Sequence, residues 1–154
     1  MTAASIRKDS PQHDAVTRLL EDYIKASRAA WPAHEDYVLD REELMDDAVT
    51  FWTARLDGRI VGCIALKLLD DSRAEIKSLC VDSAVRGEGI GKQLVSAVID
   101  EARDRNLDAL LLETGSMPFY AAARRLYADF GFEPCGVFGE YRDDLASCFM
   151  RLEL

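Results

Sequence analysis

The segment from Ala74 to Leu112 constrains the fold more than any other part of this chain. Ala74–Val81 is rich in strand formers, and Arg86–Lys92 carries glycine at 87, 89 and 91. Ile90, Leu94, Val95, Val98 and Ala102 then recur at helical spacing, with Lys92, Gln93, Asp100, Arg103 and Asp104 on the opposite face. Asn106 reads as the helix stop. Leu107–Leu112 follows as a nearly unbroken apolar run, the pattern of a strand covered on both faces. Strand, helix and parallel strand form a βαβ crossover, which sets two strands side by side with a helix across them.

The flanking sequence limits what surrounds that unit. Residues 3–8 suit a short opening strand, and Ser10-Pro11 reads as the start of a helix with Val16, Leu19, Leu20, Tyr23 and Ile24 as its apolar stripe. Trp31-Pro32 interrupts that helix, and Asp40–Met45 fits a short second one. Val49–Arg55, the Asp57-Gly58 turn, Ile60–Leu69 and a second turn at Asp70–Ser72 predict an antiparallel meander leading into the crossover. Pro118 opens another helix, with Phe119, Ala122, Ala123, Leu126 and Phe130 on its packed face, Tyr127 just outside that stripe, and Gly131 as its stop. The tail alternates, with Cys148, Met150, Leu152 and Leu154 on one face. The expected class is α+β: one mixed, mostly antiparallel sheet with helices on both faces. No repeat, linker or low-complexity tract divides residues 1–154, so one domain is expected.

A loop that holds phosphate needs inward-facing backbone N–H groups, little side-chain bulk, and preferably a helix N-terminus behind it. Gly87, Gly89 and Gly91 remove three Cβ atoms where the chain passes from strand to helix, and Arg86 and Lys92 add positive charge at the two ends. Glu88 is expected to point to solvent. A dinucleotide fingerprint starting at Gly87 would need glycine where Lys92 stands. A P-loop would need glycine at Arg86 and a hydroxyl residue at Gln93. Both patterns fail.

The net charge of −9 argues against a general nucleic-acid-binding surface. Met1–Ser10 contains no apolar run and no stretch has the length of a spanning helix, so a cytoplasmic, non-membrane protein is expected. Cys63, Cys80, Cys135 and Cys148 lie in or beside apolar runs without metal-ligand spacing, which predicts reduced core cysteines and no metal.

The pattern that the glycine run does satisfy is Arg/Gln-x-x-Gly-x-Gly/Ala, here Arg86-Gly87-Glu88-Gly89-Ile90-Gly91. With Ala74–Val81 before it and Leu126-Tyr127-Ala128-Asp129-Phe130-Gly131-Phe132 after it, the chain resembles the GNAT superfamily of N-acetyltransferases over nearly all of residues 3–154. The resemblance implies the acyl-CoA N-acyltransferase fold, in which the two parallel strands splay into a V. It implies acetyl-CoA as co-substrate, its pantetheine arm along the backbone of Leu79, Cys80 and Val81. The pyrophosphate would lie on the amides from Arg86 through Gly87, Glu88, Gly89, Ile90 and Gly91 to Lys92. It also implies the N–H of Val81 as oxyanion donor and Tyr127 as the acid for the departing thiolate. Many relatives carry Asn where this chain has Tyr120, so the cofactor contact at that position is altered. Family members are often dimers, and a homodimer is the corresponding expectation.

Acyl transfer to an amine needs a base, because an ammonium has no lone pair and its pKa lies near ~10.4. Glu75 is the first candidate: it sits in a largely apolar strand, where burial raises a carboxyl pKa toward neutrality, and the resemblance also points to it. The competing reading pairs Glu75 with Lys77 or a cross-strand partner. Glu113, near the C-terminal end of the parallel strand, is a second carboxylate on the substrate side. Alternation turns Cys80 away from the face of Glu75, Leu79 and Val81 unless a bulge intervenes, and no histidine neighbours it as an activator. The acceptor pocket is expected from residues 23–47 and 138–144, with Trp31, Tyr37, Trp52 and Tyr141 as apolar walls and Glu35, Asp36 and the acidic residues of 40–47 as features that would favour a cationic amine. The expected activity is acetyl-CoA-dependent acetylation of a small-molecule primary amine by direct transfer. The same fold also permits acetylation of a protein lysine or N-terminus, or a non-catalytic coenzyme-A-binding role.

Overall fold

Two tight turns and one crossover generate the sheet of this computed structural model, which describes residues 4–30 and 41–154. In chain order the elements are β1 (Ser5–Lys8), α1 (Asp14–Ala30), α2 (Arg41–Leu44), β2 (Val49–Leu56), β3 (Arg59–Leu68), β4 (Arg73–Val81), α3 (Ile90–Asp104), β5 (Ala109–Gly115), α4 (Ala121–Asp129), β6 (Glu133–Pro134) and β7 (Ser147–Glu153). The sheet order is β1-β2-β3-β4-β5-β7-β6, and every pairing is antiparallel except β4 with β5. Asp57 and Gly58 both have positive φ, the geometry of the two-residue turn that joins β2 to β3.

Helices cover both faces. α3 buries Ile90, Leu94, Val95, Val98, Ile99 and Ala102 against Ile64, Leu66, Ala74 and Ile76 of the sheet and Leu110 and Leu112 of β5. α1 lays Val16, Leu19 and Leu20 on the other face, over Phe51, Cys63, Ala65 and Cys80. Phe149 of β7 is buried with Leu111 and Phe138, so β7 is apolar on both faces and not on alternate residues alone.

Several boundaries differ from the sequence expectation for local reasons. α1 begins at Asp14 and not at Ser10-Pro11, because the Asp9 carboxylate accepts from the Ser10 N–H, Thr53 Oγ1 and Arg55 and holds residues 10–13 as a turn. β5 begins at Ala109, since Asn106 turns at positive φ and Leu107 N–H closes back on Ala102 C=O at 3.0 Å. With Asn106 N–H on Arg103 C=O at 3.0 Å this is a Schellman stop, for which asparagine is an accepted left-handed residue.

α4 ends the same way, and that ending places Tyr127. Gly131 has φ 100°, its N–H bonds Ala128 C=O at 2.9 Å, and Phe132 N–H reaches back to Tyr127 C=O at 3.1 Å. Such a motif brings together the side chains at its two outer positions, here the rings of Tyr127 and Phe132 at 5.6 Å. Tyr127 is therefore the buried residue of α4, whereas the sequence set it outside the packed stripe. Pro118–Tyr120 forms a 3₁₀ turn ahead of α4, and its tighter winding shifts the phase of the stripe counted from Phe119.

Candidate active site

Parallel pairing of β4 with β5 runs from Arg73↔Ala109 to Ile76↔Leu112 and stops there. β4 continues to Val81 and β5 to Gly115 without pairing to each other, so the two strands open into a V beyond Ile76 and Leu112.

A bulge in β4 lies at the mouth of this opening. Cys63↔Cys80 and Ala65↔Lys77 are successive pairings with β3, which leaves one extra residue on β4, and Ser78 adopts φ 57°. The bulge reverses the facing expected from simple alternation. Glu75 and Lys77 share the α1 side with Cys80, while Leu79 and Val81 pack on the α3 side. Asp82 N–H donates to Val61 C=O at 2.8 Å, which makes Gly62↔Val81 a non-hydrogen-bonded pair. The N–H of Val81 consequently points away from β3, toward the open side of the strand.

The glycine run follows directly. Asp82 caps the 3₁₀ turn Ser83–Val85, and Gly87 and Gly89 take φ values of 83° and 84°, a region that costs other residues roughly 1–2 kcal/mol. Gly89 is the N-cap of α3, so the N–H groups of the first helical turn have no partner within the helix. A Cβ on Gly87 or Gly89 would meet nothing, whereas one on Gly91 would lie 3.3 Å from Leu126 of α4. The first two glycines serve backbone shape, and the third serves close helix packing. Arg86, Glu88 and Lys92 are exposed, Glu88 as expected, and Arg86 Nε bonds Val81 C=O at 3.4 Å.

On the α1 side of the V lies a cleft of about 770 Å³. Its lining along β4 runs from Arg73 to Cys80, so Val81 and the glycine run lie beyond it, along the same strand and loop. Glu75, Glu113, Tyr120 and Tyr127 all face the cleft. Glu75 is 4% exposed, and burial raises its pKa against the opposing effects of Tyr141 and Lys77. Tyr141 Oη donates to Glu75 Oε2 at 2.5 Å. Lys77 instead contacts Glu43 Oε1 at 2.6 Å, as does Lys67 at 3.1 Å, so the Glu75–Lys77 pairing is not formed. Burial, then the Cys80 thiol, raises the pKa of Tyr127, which stays protonated over the working range of an enzyme. Glu113 is half-buried on β5.

Tyr120 is turned toward α1. Its hydroxyl hydrogen-bonds Ser27, and its ring lies over Gly115 so closely that a Cβ there would sit 2.1 Å from Cδ2. Of the expected pocket aromatics, Trp52 is core and Tyr141 lines the cleft; Trp31, Tyr37, Glu35 and Asp36 lie outside the described residues. Tyr23 and Glu43 line the cleft within the expected 23–47 segment, whereas Lys67 and Gly115 under Tyr120 are contributions that the sequence reading did not single out. The alternation of Glu75 and Lys77 was legible, but their partners lie in other elements.

Comparison with known proteins bears on this geometry. Residues 16–132 match the family model described as the acetyltransferase (GNAT) family. The chain belongs to that family. It is therefore an acetyltransferase in general activity, and the splayed sheet is the family's acyl-CoA fold. The chain is similar to the IAA acetyltransferase of Azospirillum brasilense, with 37% identity over 156 aligned positions that cover all of both chains. Among solved structures it is similar to a protein assigned as an acyl-CoA N-acyltransferase in Klebsiella pneumoniae, at TM-score 0.77 and 28% identity over 98% of this chain and 97% of that one. A GNAT acetyltransferase from Elizabethkingia anophelis, solved with acetyl-CoA bound, shares the fold at TM-score 0.70 and 21% identity, covering all of each chain. Among the described residues no cluster of His, Cys, Asp or Glu is arranged to hold a metal ion, and no helix is long and apolar enough to cross a membrane.

Proposed function

We propose that residues 1–154 act as one domain that transfers an acetyl group from acetyl-CoA to the primary amine of a small molecule, directly within a ternary complex. The observation that carries this reading is the opening of the sheet between β4 and β5, where a buried carboxyl on β4 and a buried phenol on α4 line one cleft and a backbone N–H is turned off the sheet beyond it at Val81. The donor side fits acetyl-CoA. Gly87 and Gly89 shape a turn at the N-terminus of the fifteen-residue α3, with Arg86 and Lys92 exposed at its flanks, which suits a pyrophosphate. Bound acetyl-CoA would supply a thioester carbonyl; the backbone of Leu79, Cys80 and Val81 would run beside its pantetheine arm. The bound ligand of the Elizabethkingia relative supports the same assignment.

Each residue then has a task. Glu75, its pKa raised by burial, takes a proton from the incoming ammonium directly or through water. Val81 N–H faces the oxygen on which negative charge develops. Tyr127 donates a hydrogen bond to the departing thiolate. A thiol titrates near ~8.5 and an ordinary phenol near ~10, so with its pKa raised further Tyr127 stabilises the thiolate as a neutral donor before any full proton transfer. Glu113 borders the acceptor side, and Tyr120 shapes the cleft through Ser27 in place of the Asn of many relatives. Gly139, Glu140 and Tyr141 add a further wall to the cleft, whose volume of about 770 Å³ suits a compact acceptor.

Release of free thiol from acetyl-CoA across a panel of amines and lysine peptides tests the reading. Small amines should support turnover, Glu75→Gln should lower kcat/KM by about 10²–10⁴, and Tyr127→Phe should lower kcat with acetyl-CoA binding retained. Acetyl-CoA binding without acceptor-dependent thiol release would overturn it, and turnover of peptides alone would transfer it to a protein substrate.

A further inference from the structure

We infer that Lys67 and Lys77 form a carboxylate-binding subsite beside Glu75, and that the acceptor is an amine bearing a nearby carboxylate, of the amino-acid class. The inference rests on the reading of the cleft as the acceptor site, and it assigns the substrate's second charged group.

Register places the three side chains together. Lys67 of β3 is directly opposite Glu75 of β4, and Lys77 is two residues further along β4 on the same face, ahead of the bulge at Ser78. Side chains directly opposite across an antiparallel pair have Cβ atoms about 4.5–5.5 Å apart. An amine that gives its proton to Glu75 therefore brings a carboxylate one or two carbons away within reach of the lysines. All three residues line the cleft, and the lysine side chains are 33% and 22% exposed.

Charge points the same way. Both ammonium groups contact a single oxygen of Glu43, at 3.1 Å and 2.6 Å, so two cations face one carboxylate. The hydrogen bond to Glu43 raises the pKa of Lys67, and the bonds from the two lysines, against burial, draw that of Glu43 down. An ammonium has three donors, and each of these lysines spends one on Glu43. A substrate carboxylate would take donors that Glu43 leaves unspent while Glu43 stays in place. Both lysines act on Glu75 through charge, but its hydrogen bond comes from Tyr141. Two ammonium groups with unspent donors beside the carboxyl that takes the proton meet both signs of a zwitterion, which favours it over a simple cation.

Matched pairs of acceptors that differ only in the carboxylate test this, such as L-phenylalanine with phenethylamine and L-leucine with isoamylamine. The wild-type protein should prefer the amino acid by at least tenfold in kcat/KM, mainly through KM. Lys77→Met and Lys67→Met should each collapse that ratio at least tenfold, and Lys77→Arg should restore most of it; a purely structural role would lower both members of a pair together. Calorimetry with 3-phenylpropionate, a carboxylate without an amine, reads the subsite independently of turnover. Binding lost in Lys77→Met supports the subsite even if no amine is acetylated, an outcome that would sink the acetyl-transfer reading alone. Preference for the plain amines, or an unchanged ratio in both methionine variants, overturns the subsite and leaves the acetyl-transfer reading standing.

Discussion

The Glu75 carboxyl is held between opposing influences, and each can be moved by one substitution. Burial disfavours its charged form, while the Tyr141 hydroxyl and the nearby Lys77 favour it; Glu43 and Lys67 are the other charged groups that act on it. Tyr141→Phe removes the donor to the ionised form, so the pKa of Glu75 should rise further. As the proposed base, Glu75 must be ionised, so the acidic limb of the kcat/KM profile should move to higher pH, with the plateau less affected than the limb. Stability gives an independent check. The folded-state pKa of Glu75 lies above its unfolded value, so the folded protein binds the proton more tightly and loses stability as pH rises through that folded pKa. Glu75→Gln removes a buried charge, so its Tm should exceed that of the parent at pH 8, and the gap should close below about pH 4. Activity and stability would then move in opposite directions, as a functional carboxyl requires. The sequence made Glu75 legible as a polar residue in an apolar strand. It did not show Tyr141 as its partner, because that hydrogen bond joins residues sixty-six positions apart.

At the level of elements, two local devices place the site. The Gly131 ending of α4 puts Tyr127 against Phe132, which gives a physical reason for tyrosine, glycine and phenylalanine at that spacing. The bulge at Ser78 brings Glu75 and Cys80 to one side and turns Leu79 and Val81 to the other. The first device was visible as a motif; the second was not, since serine carries no marked preference for a left-handed position. Helical periodicity located α3 well but misjudged α4, where the 3₁₀ turn at Pro118 resets the phase. Contact between elements shows most sharply at Gly115, whose missing Cβ is filled by the Tyr120 ring. Gly115→Ala should lower stability by about 1–3 kcal/mol through overpacking. Thermal melts should show much of that loss recovered when Tyr120→Leu is added, an interaction that separate defects would not give.

Over the whole molecule, the proposed donor and acceptor sites fall on different parts of the sheet. The glycine run at the N-terminus of α3 continues from the far end of β4, while the cleft of acidic, basic and phenolic side chains opens on the α1 side of the V. The family match spans residues 16–132, and Gly139, Glu140 and Tyr141 of the cleft lining lie beyond it. The proposed donor site is legible in sequence because it is a contiguous loop, whereas the proposed acceptor site is built from side chains of six separate elements and the loop at 139–141. Two-substrate initial-rate kinetics tests the central claim most directly, with thiol release measured while acetyl-CoA and a matched amino acid are both varied. Direct transfer predicts acceptor-dependent release with intersecting double-reciprocal lines and no acetyl group on the protein by intact mass. Parallel lines with acetyl on Cys80, or thiol release indifferent to any acceptor, would contradict it.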